Sequence, residues 1–475
     1  PDQRGFVDLA WAGLMRTLDA GTMGGDTGSW PFLLAMLVTT MGGIFLVSTL
    51  IGVLTTGIEG KLDELRKGRS FVAESGHTVI LGWSPQIFTL ISELVTANLS
   101  LPRSCIVILA EQDAAEMQDE IWAKLGNTKK TRIVCRTGLP MDNDDLRLVN
   151  PEDARAIIIL PPEEGNGDAY VIKTMLALVG HPKRPARPYH VVTYIRATKN
   201  LEVAQMVGDK EVEVIAANDL IARLTAQTCR QSGLSVAYTE LLNFDGDEIY
   251  FKAEPALVGK TFGDTLMAFE DSTVIGLSSP TDGIRLNPPM DQRLASGDQL
   301  IFIAADENAI RLSQTAPAQV DSTALRHAPP RQAGPERTLI LGWNERAAAI
   351  IGELDYYVGS DSEVQLVATP DPNLAEFLST LESQRYRNLR VSVQNGDITE
   401  RRTLEALAIP TFQHVIVLSE WCEGMDNIQQ VDARTLITLL HLRKIAEAHG
   451  HPFSIVSEML DVRNRELAQV TRADD

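Results

Sequence analysis

Carboxylates gather where two neighbouring strands end in the last third of this chain. Glu420, Glu423 and Asp426 follow the apolar run His414 to Leu418, and Glu458 and Asp461 follow the next strand, in Ser457-Glu-Met-Leu-Asp461. Calcium takes six to eight oxygen ligands from carboxylates and carbonyls, and adjacent strand ends of one sheet can bring such groups together. These five residues are therefore candidate calcium ligands. The alternative is a solvated acidic rim, which a chain of net charge −20 can carry anywhere on its surface. Asp142-Asn-Asp-Asp145 reads first as a helix N-terminal signature.

Other chemistries lack their residues. The four cysteines, Cys105, Cys135, Cys229 and Cys422, form neither CxxC nor a His-spaced zinc pattern, and they read as small buried hydrophobes. Val258-Gly-Lys-Thr261 resembles the end of a P-loop, but Glu254 stands where the first glycine belongs. No HExxH, GxSxG or Ser/His/Asp grouping sits on a strand-to-helix turn, so the chain is not expected to be an enzyme. The acidic balance argues against a general nucleic-acid binder, which needs a basic face.

The elements that would position the acids recur. His77-Thr-Val-Ile-Leu-Gly82-Trp83-Ser84 returns as Arg337-Thr-Leu-Ile-Leu-Gly342-Trp343-Asn344. Gly138 pairs with Gly396, Asp168-Ala169 with Asp432-Ala433, and Asn200 to Gln205 with Asn464 to Gln469. Repetition at this spacing means duplicated domains rather than a solenoid. Each unit alternates short apolar strands with amphipathic helices, the pattern of βαβ units in a parallel, doubly wound sheet, so two Rossmann-like domains are predicted. Both lack the dinucleotide fingerprint beyond its first glycine: Ser84 and Ile87 replace the other two in one repeat, Asn344 and Ala347 in the other. A nucleotide could still use Glu111 or Asp113 on a ribose. Between the repeats, EIYFKAE, STVIGLSS and QLIFIA suggest a small α+β module, and the Pro-containing stretch 316–336 a linker.

From Gly28 to Ile58 no residue is charged, which is enough to cross a roughly 30 Å hydrocarbon core as one helix. Lys61-Leu-Asp-Glu-Leu-Arg-Lys-Gly-Arg69 follows, and by the positive-inside tendency it puts the rest of the chain in the cytoplasm. Before the span, Phe6 to Leu18 carries a helical stripe too short to cross, then a turn at Asp19-Ala20-Gly21. That order suits a re-entrant pore loop, an ordinary extracellular loop being the alternative. The chain starts at Pro1, and its second repeat stops at the equivalent of about residue 211, so it reads as a fragment.

Leu18-Asp19-Ala20-Gly21 in a pore-loop position, KLDELRKG at the membrane exit, HTVILGWS and SEMLD together resemble potassium-channel-type proteins with RCK (regulator of K⁺ conductance) domains, and among them the CASTOR/POLLUX ion-channel family. The resemblance implies a cation channel of the cell membrane, with K⁺ as permeant ion, regulatory Ca²⁺, and a homotetramer whose cytoplasmic domains form a gating ring. It also implies Leu18, Asp19, Ala20 and Gly21 as the pore residues. The TVGYG filter of classical potassium channels is absent, and at least one membrane helix expected before the pore loop is missing. The competing reading is a membrane-anchored Rossmann-type ligand sensor or NAD(P)-binding protein without a pore.

The expected fold class is thus α/β: a re-entrant pore helix and filter-like loop (1–29), a transmembrane helix (30–58), a juxtamembrane linker (59–76), a first RCK Rossmann-like domain (77–234), an α+β lobe (235–306), a linker (307–336) and a second, truncated RCK domain (337–475).

Overall fold

The computed structural model describes residues 5–18, 21, 25, 27–66, 68, 70–163, 165–181, 184, 187–244, 246–314, 334–381, 386–422, 425, 427–450 and 453–470. Two helices come first, Phe6–Leu18 and Trp30–Arg66. In the second, Trp30–Ile58 has a mean hydropathy of 2.1 over 29 residues, long and apolar enough to cross a membrane. Its large side chains point outward, Phe45 and Val53 among them, where a soluble core helix would bury them. Thr39, Thr40, Thr49 and Thr56 each donate the hydroxyl to the carbonyl four residues back, so no polar group of these side chains meets an apolar surround unpaired. The first helix rests on the second at Gly43, where a Cβ would stand 2.5 Å from the Cα of Thr17. Small residues permit this backbone approach, and Thr40 one turn away is buried beside it.

Short Val/Ile/Leu runs then build a six-stranded sheet from β1 (Thr78–Leu81), β2 (Ser104–Ala110), β3 (Thr131–Thr137), β4 (Ala156–Ile159), β5 (Val191–Ile195) and β6 (Val212–Ala216). All pairs are parallel, in the order β3-β2-β1-β4-β5-β6 of a Rossmann-like fold. Helices cover both faces, so the inner strands β1 and β2 are buried on both sides and read as nearly continuous apolar runs, while the edge strands β3 and β6 also carry exposed residues. An antiparallel sheet follows, with β7 (Glu248–Lys252), β8 (Thr273–Ser279), β9 (Gly283–Leu286) and β10 (Gln299–Ala304) in the order β7-β10-β8-β9. Its core is Phe302 packed edge-on to Phe269 at 4.8 Å, with Phe262 beneath.

The last sheet holds β11 (Arg337–Leu341), β12 (Ser362–Ala368), β13 (Leu389–Asn395), β14 (His414–Val417) and β15 (Ser454–Ser457). Its order, β13-β12-β11-β14-β15, repeats the first five positions of the first sheet. The helix Ala217–Arg230, which directly follows β6, does not pack on its own sheet alone. Ala222, Ala226 and Cys229 lie in one core cluster with Ile350, Ile351 and Leu354 of the helix Ala347–Tyr357. Small residues on that face let the two helices approach, and polar ties flank them: Arg223 with Glu353 at 3.4 Å, Gln227 with Tyr357 at 3.3 Å, and Arg230 with Glu336 at 2.7 Å. We call this segment the docking helix. The four cysteines are free thiols; Cys135 and Cys229 are buried, and burial pushes both thiols up to about 12.

Candidate functional site

The two repeats share one turn, and its glycine serves the fold. Gly82 has φ +115° and Gly342 φ +93°. A Cβ on Gly342 would stand 2.7 Å from the carbonyl oxygen of Leu418, and one on Gly82 would run into that of Leu160. Glycine lets the chain leave the first strand against the end of its neighbour, at the switch point of the strand order. At the place of the fingerprint's third glycine, Ile87 and Ala347 are fully buried in helix–sheet packing. The tryptophan after each glycine packs on a phenylalanine, Trp83 on Phe88 at 5.7 Å and Trp343 on Phe377 at 4.9 Å.

A second shared device orders the strand-end loops. Asp168, buried, accepts from the backbone N–H groups of Arg196 and Ala197 at 2.9 and 3.0 Å and from Nδ2 of Asn200 at 2.8 Å. Asp432, fully buried, accepts from Leu460 and Asp461 N–H, both at 2.9 Å, and from Nδ2 of Asn464 at 2.8 Å. Each carboxylate thus satisfies donors that would otherwise be orphaned at a buried turn.

On this scaffold the second sheet carries charge. Glu420, 3% exposed, accepts from the N–H and hydroxyl of Thr369 at 2.8 and 3.1 Å and pairs with Arg434 at 3.2 Å. Arg434 also holds Asp397 at 2.9 Å. Burial raises the Asp397 carboxyl, but its bonds from Thr399 and Arg434 outweigh this, and the net direction is down. Glu458 accepts at one oxygen from Asn344 Nδ2 (2.7 Å) and from the hydroxyl and N–H of Ser419 (2.6 and 3.1 Å), while Arg346 Nε lies 2.7 Å from the other. Arg346 reaches the docking helix as well, its Nη1 donating to Oδ1 of Asn218 at 3.3 Å. Asp461 turns away, to Gln429 Nε2 at 2.6 Å and to Arg463, whose hydrogen bond is the main cause holding the carboxyl down at about 2.

Glu420 and Glu458 therefore do stand at adjacent strand ends, but each already has a guanidinium counter-ion. Asp461 has a third, and Glu423 and Asp426 lie outside the described residues. Among the described residues no three His, Cys, Asp or Glu side chains come close enough together to hold a metal ion. A calcium ion at Glu420 or Glu458 has to displace an arginine. Of the pore residues, Leu18 ends the first helix, Gly21 is exposed, and Asp19 and Ala20 lie outside the described residues. Sequence reasoning missed Arg346 and Arg434. The repeat carried a signal for both, since they stand opposite Gln86 and Tyr170.

Residues 218–321 match the family model described as Castor and Pollux, part of voltage-gated ion channel, and residues 73–174 match the calcium-activated potassium channel slowpoke-like RCK domain. Over 99% of its length the chain is 32% identical to the probable ion channel CASTOR of Oryza sativa subsp. japonica. It spans 56% of that protein's length. It is 23% identical, over 58% of its length, to the calcium-gated potassium channel TvoK of Thermoplasma volcanium, of which it covers 76%. In three dimensions it is similar to the GsuK channel bound to NAD, with a TM-score of 0.50 at 16% identity, covering 99% of this chain and 75% of that one, a likeness of fold.

Proposed function

We propose that the chain is a member of the Castor/Pollux family, whose model it matches over residues 218–321, and that it is part of a ligand-gated cation-channel subunit. Residues 6–58 line a K⁺-conducting or mixed cation pore in the cell membrane, and the two Rossmann-like units act as a cytoplasmic gating ring. The observation that carries this reading is the outward-facing apolar helix Trp30–Ile58, braced at Gly43 by a short helix and continuing as far as Arg66, shortly before the first parallel sheet. A single span cannot enclose a path, so four copies close around an axis. Leu18 to Gly21 then face that axis, and Asp19 forms a ring of carboxylates that attracts cations.

The regulatory ligand in this reading is calcium, drawn by Glu420, Glu423, Asp426, Glu458 and Asp461. Support comes from the slowpoke-like RCK match and from a relative named a calcium-gated potassium channel. Calcium would take Glu458 from Arg346 and Glu420 from Arg434, and it opens the pore only by the free energy with which it prefers the open ring. Recording from the full-length protein in planar bilayers, with calcium raised on the side of the RCK domains, tests both parts. Cation currents that grow with calcium, and that lose this dependence in Glu458→Ala with Asp461→Ala, are expected. Absence of current in an intact tetramer refutes the pore. Currents indifferent to calcium refute the ligand.

A further inference from the structure

The last turn of the docking helix meets the N-terminal edge of the second sheet at His414, the first residue of β14. Ser454, its register partner on β15, donates its hydroxyl to the carbonyl oxygen of Cys229 at 2.8 Å, capping an orphan carbonyl of the docking helix. A hydroxyl has one proton to give, so the imidazole Nδ1, 2.7 Å from the same oxygen, is the donor in that contact. Neutral His414 therefore carries its lone pair on Nε2. That nitrogen faces Oε2 of Glu336 at 3.6 Å. The same carboxylate is held in a fork by Arg230 of the docking helix, Nη2 to Oε1 at 2.7 Å and Nε to Oε2 at 3.0 Å. Glu336 thus stands between a permanent cation that arrives with the docking helix and a conditional one built into the sheet.

We propose that His414 is a proton-operated release for the docking helix. Protonated at Nε2, it takes Glu336 as its own counter-ion, sets a second positive charge beside Arg230, and loosens the helix from the second sheet. The groups facing the imidazole are Arg230 and Cys229 from the docking helix, Glu336 from the segment entering β11, Thr338 on β11 and Ser454 on β15. Arg337 is turned aside, to Glu363 at 3.1 Å and to Thr411. Burial is the largest influence on His414 and lowers its pKa. Glu336 opposes this, and Arg230 adds to it.

The sign follows from linkage. A histidine whose pKa lies below the ordinary value of about 6.5 when docked favours docking in its neutral form. That contribution is complete above about pH 6.5 and is lost as the pH falls below it. At the far end of the helix the ties are Arg223 with Glu353 at 3.4 Å and Asn218 with Arg346 at 3.3 Å, and neither contains a histidine. Release therefore starts at Arg230. The first repeat has Ala156 where the second has His414, and its histidine at this edge, His190, is exposed and stands where the second repeat has Ser454.

Hydrogen exchange of the full chain, corrected for intrinsic rates, tests the proposal by comparing about pH 7.5 with about pH 5.5. Peptides covering 217–230 are expected to exchange several-fold faster at the lower pH, with the core of the first sheet unchanged. His414→Gln keeps a donor for Ser454 and cannot charge, so its exchange is expected to be flat with pH. An unchanged helix in the wild type, or full pH dependence in His414→Gln, overturns the proposal. A second readout is the imidazole titration followed by NMR on histidine-labelled protein. It should lie below the ordinary histidine range and rise in Arg230→Gln, where Glu336 alone faces the ring. A titration that does not move in Arg230→Gln also overturns it.

Discussion

At one position of the two parallel sheets, Tyr194 donates its hydroxyl to Gln86 at 3.0 Å, while in the repeat Glu458 faces Arg346 at 2.7 Å. The contrast extends across both strand ends. Pro161 and Pro162 stand where the second sheet has Ser419 and Glu420, and Tyr170 where it has Arg434. In the first sheet, burial and then the nearby Glu111 hold the Tyr170 phenol neutral, pushing its pKa upward. The scaffold beneath is the same in both: the left-handed glycine, and an aspartate bonded to two N–H groups and an asparagine. A partly buried ion pair gains little net stability over a neutral pair, because desolvation offsets most of the attraction. The second sheet therefore gains little in folding from its charges. The calcium response proposed above gives those charges a reason that folding does not, whereas the corresponding positions of the first sheet, Gln86, Pro162, Tyr170 and Tyr194, carry none.

The shared glycine turn gives the largest expected effect. Gly82→Ala forces a Cβ into the Leu160 carbonyl at a backbone angle that disfavours side chains, and should cost about 3 kcal/mol or more in urea unfolding. Gly342→Ala meets its carbonyl at 2.7 Å and should cost less, about 2 kcal/mol. If both are tolerated without loss, the turn is not the common scaffold and the glycines need another explanation.

Exchanging the variable pair comes next. Arg346→Gln leaves Glu458 without its cation among the described contacts, and with both side chains 15% exposed the cost should be about 2 kcal/mol. Adding Glu458→Tyr rebuilds the neutral pair of the first repeat but gives up the bonds from Asn344 and Ser419, so it should recover part of that loss and, under the function proposed above, remove the calcium dependence of the current. If the double variant stays as unstable as Arg346→Gln, the two sites are not interchangeable, and the charges are structural after all.

Much of this architecture was legible in the chain. The uncharged run ending at Ile58, the recurrence of Gly-Trp after a strand and the pairing of Asp168 with Asp432 are local or periodic signals, fixed by residue type. The counter-ions were not legible. Whether Glu420 is a rim carboxylate or a buried one depends on Arg434 and Thr369, which the fold alone brings to it. The docking helix was misleading in a similar way: its place after β6 assigns it to the first sheet, yet its alanines pack on Ile350, Ile351 and Leu354 of the second. Small residues mark close packing without naming the partner.

The smallest effect concerns Asp461, which stands where the first repeat has Ala197. Arg463 and Gln429 stabilise its ionised form and lower its pKa from 3.8 to about 2. A carboxyl depressed in the folded state adds stability above its unfolded pKa, and that share is lost as the pH falls from about 4 towards about 2. Arg463 is 80% exposed, so solvent and salt screen most of the attraction. Arg463→Ala should therefore raise the Asp461 pKa towards the ordinary carboxylate range, as read by carboxyl NMR, and flatten the acid limb of unfolding only slightly. The equivalent change in the first repeat, Lys199→Ala, has no carboxylate opposite and should leave that limb unchanged. An equal shift from both would mean that the acid response is spread over the surface charge and does not belong to the second repeat.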